Sequence, residues 1–208
     1  KCACRLPGSD TPKGVVDHIQ MLNYAKLPGN KYLINWPNCG NDYFLDWPNM
    51  PLNEVQKGIL AAKQHSLNFV YYIQHELGFK NLVVHNEFGT DDSFPWIPYH
   101  RESRRLKGLV QLTVNEVRNP YAHDLFKTGI AVGDYPIDHH HDKNLHAPEI
   151  DFIGIKVPSY NVPLGSLIPK ETPHFIVGEK NISVSNIVNG ATRLQPVVLG
   201  IGQAAGAL

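Results

Sequence analysis

Three stretches of the chain hold side chains able to do chemistry. Asp138-His139-His140-His141-Asp142 sets imidazoles among carboxylates, a composition suited to metal ligation or proton transfer. Neighbouring residues of an extended chain point to opposite faces, so three consecutive histidines do not converge on one ion. His139 and His141 share a face, with His146 as a remote third ligand. The spacing therefore favours no metal, and a solvated histidine patch is the plain alternative. Arg101-Glu102-Ser103-Arg104-Arg105 concentrates guanidinium groups, which clamp oxyanions through paired N–H donors or simply form a solvated basic turn. In the third stretch an apolar run at 175–177 leads through a polar loop to Thr192-Arg193-Leu194-Gln195-Pro196, which opens an Ala/Gly-rich helix. Free backbone N–H groups and the positive dipole end at such a start suit an anionic or electron-rich group.

Other motifs carry less. Gly200-Ile-Gly202-Gln-Ala-Ala-Gly206 is one residue longer than the dinucleotide fingerprint G-x-G-x-x-G and falls inside a helix instead of at a strand-to-helix turn. Its small residues are expected to let that helix approach a neighbour closely. His75-Glu76-Leu77-Gly78-Phe79 lacks the second histidine of H-E-x-x-H. Cys2, Cys4 and Cys39 make an odd count that supports neither a disulfide framework nor a zinc site.

The elements that must position these groups follow from periodicity and punctuation. Val55, Ile59, Ala62, Phe69, Ile73 and Leu77 form one apolar stripe and predict a helix over 53–77, with Asn53 as N-cap and Gly78 as its stop. Strands are expected at 32–34, 81–84, 109–114, 129–132, 152–157 and 175–177, and a helix over 192–208. In the 109–114 strand Val110, Leu112 and Val114 face one way and Gln111 and Thr113 the other. Helices and strands mix, so the fold class is α/β or α+β.

The blocks Tyr99 to Gly108, Val132 to His141 and Pro163 to Gly206, taken in order, resemble FAD-dependent oxidoreductases of the glutathione-reductase-like superfamily. The closer likeness is to Bacteroidetes-type members, some of which carry polysaccharide-lyase labels such as xanthan lyase. The resemblance implies the C-terminal part of a Rossmann-like FAD domain plus β-rich substrate-domain segments, divided as 1–160 and 161–208. It implies FAD as cofactor, contacted by Asn189, Gly190, Thr192, Arg193, Leu194 and Gln195, with Gly178 and Glu179 beside the ribityl chain. It places His140 as general base oriented by Asp138, Arg104 with them in the catalytic set, and Arg101, Glu102 and His139 on the substrate. Hydride from an alcohol- or amine-bearing substrate, carbohydrates included, would pass to flavin N5. The alternatives are a carbohydrate-active lyase or binding module, with His140, Tyr135 and Arg104 acting on a uronic acid, and a non-catalytic remnant.

Such flavoproteins carry G-x-G-x-x-G on their first strand-helix unit, and this sequence has none. The chain is accordingly expected to be a fragment that is inactive alone and partnered by the missing N-terminal part of the same protein. Compartment, and whether copies associate, stay open at this level. Its 208 residues, 42% of them hydrophobic, suffice for a buried core. The 19 basic and 19 acidic side chains cancel, which argues against nucleic acid or an anionic membrane as partner and for a small-molecule substrate. No apolar run reaches the roughly 18 residues that span a bilayer.

Overall fold

The computed structural model describes residues 19, 22–23, 25–34, 42–139 and 155–208. The chain divides into two compact units, Lys1–Tyr99 with His140–Leu145, and His100–His139 with His146–Leu208. The expected boundary between 160 and 161 falls inside the second unit and within a strand that begins at Tyr160.

In the first unit, β1 (Lys26–Leu27) and β2 (Lys31–Tyr32) form a small antiparallel hairpin. Helix α1 (Leu52–His75) follows a 3-10 turn at Trp47–Asn49. Pro51, extended at ψ 151, occupies the N-cap position expected for Asn53. Proline fits a helix entry because the first N–H groups lack intrahelical partners in any case. Val55 and Ile73 of the stripe are buried, as is Gly58, whose missing side chain leaves room for Leu45. Gly78 adopts the left-handed conformation at φ 81, just past the helix end. Residues 81–84 form no strand, and Val83 is exposed.

The second unit holds the main apolar core and mixes helices with a small sheet, as an α/β fold does. Strand β3 (Gly129–Gly133) pairs antiparallel with β4 (Tyr160–Pro163). The sequence pattern placed β3 but not β4, whose Tyr-Asn-Val-Pro offers little alternation to read. Tyr160 is 2% exposed and its ring covers Gly133, where a Cβ would sit 2.5 Å from its hydroxyl oxygen. That hydroxyl has no hydrogen-bond partner among the described residues, and burial together with the Asp134 charge pushes its pKa far above the ordinary tyrosine value. A buried unpaired hydroxyl carries its desolvation cost without return. Tyr160→Phe is therefore expected to leave stability unchanged or raise it by up to about 1 kcal/mol, checked by the urea midpoint; a clear fall would contradict this.

The stretch expected as a strand at 109–114 is instead bent at Leu109 and Val110, with isolated bridges on either side of the bend, Gly108 with Pro169 and Leu112 with Val184. It ends early because Thr113 and Glu116 close a capping box that starts α2 (Val114–Arg118). The T-x-x-E spacing is legible in the sequence, and here the helix-start signal outweighs the alternation. Residues 175–177 likewise form no strand, although Val177 N–H donates to Leu167 O at 3.0 Å.

The largest revision concerns the C-terminal stretch. In place of one helix from 192, there are two: α3 (Asn186–Thr192) and α4 (Gln195–Ala207). Ser185 caps α3 by accepting a hydrogen bond from Val188 N–H. Pro196 explains the break, since it has no N–H to give the Thr192 carbonyl and its ring would clash there in a continuous helix. The small residues of α4 do serve close approach: a Cβ on Gly200 would lie 3.1 Å from Ala131 Cβ in β3, and one on Gly202 3.3 Å from Gly178 O. Gly200 and Gly202 lie inside α4 and Gly206 next to its last residue, and none of them forms a phosphate loop at a strand-to-helix turn. No helix among the described residues is long and apolar enough to cross a membrane.

Candidate functional site

The junction between α3 and α4 gathers most of the residues singled out above. Arg193 ends α3 and Leu194, extended at ψ 142, begins α4. No side chain caps α4, whose first backbone bond runs from Val198 N–H to Leu194 O at 3.0 Å. The N–H groups of Gln195 and Val197 precede that bond, while Pro196 has none to offer. The helix thus presents donors and the positive end of its dipole at one point, with no capping side chain among the described residues.

Arg193 is 7% exposed. Its Nη2 donates to the backbone oxygen of Asp138 at 2.9 Å and lies 3.7 Å from Asp138 Oδ2. His139 is also buried, with Nε2 2.9 Å from Ile187 O in α3. Gly190 makes this docking possible, because a Cβ there would sit 2.6 Å from Asp138 O and 2.8 Å from His139 Nε2. The segment 134–139 is thereby fastened to α3 at three points. Asp138 and His139 are brought to the helix junction, whereas His140, His141, Asp142 and His146 lie outside the described residues, as do Cys2, Cys4 and Cys39.

Thr192 is fully buried and gives its hydroxyl to Val188 O at 3.3 Å, within α3. Asn189 is 1% exposed; its Nδ2 donates to Lys180 O at 3.3 Å and so ties the exposed Gly178-Glu179 turn to α3. Its Oδ1 is buried with no hydrogen-bond partner among the described residues.

The arginine-rich element lies elsewhere on α3, at its first turn. Glu102 receives Asn186 Nδ2 at 3.2 Å and pairs with Arg105 at 3.1 Å. Leu106 N–H donates to Asn181 O at 2.9 Å, which continues the same attachment. Glu102 thus bonds chain to chain, Arg101 is half-buried and Arg104 exposed. The role of Asn186 as Glu102's partner was missed in the sequence, where a lone asparagine in a polar loop carries no mark.

A family model described as FAD dependent oxidoreductase matches residues 5–208, and the chain belongs to that family. No curated protein and no solved structure matches it.

The residues at the α3–α4 junction fit part of an FAD. Uncapped N–H donors suit the carbonyl edge of the flavin ring, and the orphaned Asn189 Oδ1 beside the Gly178–Lys180 turn suits a hydroxyl donor such as the ribityl chain carries. No dinucleotide glycine fingerprint for the pyrophosphate occurs in these 208 residues.

Proposed function

We propose that this protein passes a hydride from an alcohol- or amine-bearing substrate, carbohydrates among them, to FAD, with the pyrophosphate of the cofactor held by chain beyond these 208 residues. The observation that carries the reading is the start of α4, a helix whose first N–H groups meet no capping side chain among the described residues, in a chain of the FAD-dependent oxidoreductase family. FAD, when bound, supplies the hydride acceptor. The chain's own part is electrostatic and positional. Gln195 and Val197 direct N–H donors at the polar ring edge, where negative charge accumulates on reduction. Leu194, as the N-cap, sets the direction in which α4 enters the site, and Asn189 offers its carbonyl oxygen to a hydroxyl. The turn that carries Gly178 and Glu179 is tied to Asn189 through Lys180 O, and Gly178 itself packs against Gly202 and Ala205, two turns along α4 from its start.

In this reading the substrate hydroxyl or ammonium loses its proton to His140, the residue that follows the docked Asp138 and His139, and Arg101 or Arg104 receives substrate oxyanions. Imidazole is suited to the proton transfer because it titrates near working pH.

The visible spectrum of the purified full-length protein tests the reading. A yellow protein with flavin absorption near equal stoichiometry is expected, and His140→Ala should keep that colour while losing turnover by about 10²–10⁴-fold. A colourless full-length protein would overturn it.

A further inference from the structure

We infer that Asp138 is a positioning residue for electron transfer chemistry: its carboxylate offsets the Arg193 guanidinium at the entrance to α4, and the pair sets the reduction potential of the flavin. The inference rests on the reading that the polar ring edge of FAD meets the start of α4. Arg193 stands two residues ahead of Gln195, is buried, and bonds to the Asp138 backbone oxygen at 2.9 Å. Guanidinium stays protonated at any working pH, and a buried charge is screened far less than one in water. The Asp138 carboxylate, 3.7 Å from Nη2, is an opposing charge at the same spot. The guanidinium is buried, and the backbone that carries the partly exposed carboxylate is held beside it by the bond from Arg193 to Asp138 O and, at the next residue, by His139 on Ile187 O. A reduced flavin carries more negative charge than an oxidised one, so a bare guanidinium there favours reduction and a bare carboxylate opposes it.

Dye-coupled redox titration of the flavin-loaded full-length protein reads this directly. Asp138→Asn keeps the backbone carbonyl that anchors Arg193 and removes only the negative charge, so the potential should shift to more positive values. Arg193→Gln should shift it to more negative values, and the double variant should return towards the parent. If Arg193→Gln fails to fold or to hold flavin, Asp138→Asn alone decides. An unchanged or more negative potential in flavin-loaded Asp138→Asn overturns the inference while leaving the hydride-transfer reading in place. A full-length parent protein that holds no flavin overturns both.

Discussion

Gly190→Ala is expected to destabilise the protein by about 1–3 kcal/mol, the usual cost of overpacking a buried site. In an exposed helix the same change is favourable by roughly 1 kcal/mol, because glycine is the poorer helix former. The sign reverses here because the new methyl would enter space held by Asp138 O at 2.6 Å and the His139 ring at 2.8 Å. The first of these is backbone and the second is a ring whose Nε2 is bonded to Ile187 O, so neither yields by rotating a flexible end. The segment 134–139 would have to lift from α3, and the Arg193 bond to Asp138 O would lengthen with it. Gly206→Ala is the matched control: it lies in α4 with nothing within 4 Å of the added methyl. There a gain of up to about 1 kcal/mol is expected. Urea denaturation of the two variants checks both signs, and a Gly190→Ala protein as stable as the parent would show that the docking is loose.

Leu112→Ala should cost more, about 2–5 kcal/mol, in the range of large-to-small changes in packed cores. Leu112 is 1% exposed in the core of the second unit. Its backbone donates to Ser183 O at 3.0 Å and accepts from Ser185 N–H at 2.9 Å, so the residue pins the N-cap of α3 as well as filling space. Truncation leaves those bonds formally intact but removes the packing that holds this stretch beside Val184. Leu112→Met, which conserves volume, should cost less than about 1.5 kcal/mol. Equal losses for the two replacements would assign the effect to backbone disturbance and remove the cavity argument. Because α3 carries Gly190 and Arg193, Leu112→Ala should also loosen flavin in the full-length protein, whereas Leu112→Met should not.

Periodicity and local chemistry determined a good part of this protein. The stripe from Val55 to Ile73 specifies a long helix because its spacing matches the helical repeat. Apolar Gly-Ile-Ala-Val specifies β3, whereas the helix expected from Thr192 starts at Gln195, next to Pro196. The three ordered blocks point to the FAD-dependent oxidoreductase family, to which the match over 5–208 assigns the chain. The fold class also follows from the mixture of signals. Two local markers prevailed over broader patterns in the fold: the Thr113–Glu116 capping box beneath an alternating run, and Ser185 ahead of α3.

Tertiary structure alone decided the site. Asp138 and Arg193 are 55 residues apart in the chain, and only the docking of 134–139 on α3 brings them together. In the sequence Asp138 reads as the orienting partner of a neighbouring histidine; in the fold its backbone and carboxylate both meet Arg193. His139, which the resemblance places on the substrate, is buried against Gly190. These outcomes turn on where a missing Cβ leaves room between two remote segments. A glycine in a sequence shows that no side chain is present; which neighbour fills that space is settled by packing over distances that no local pattern encodes.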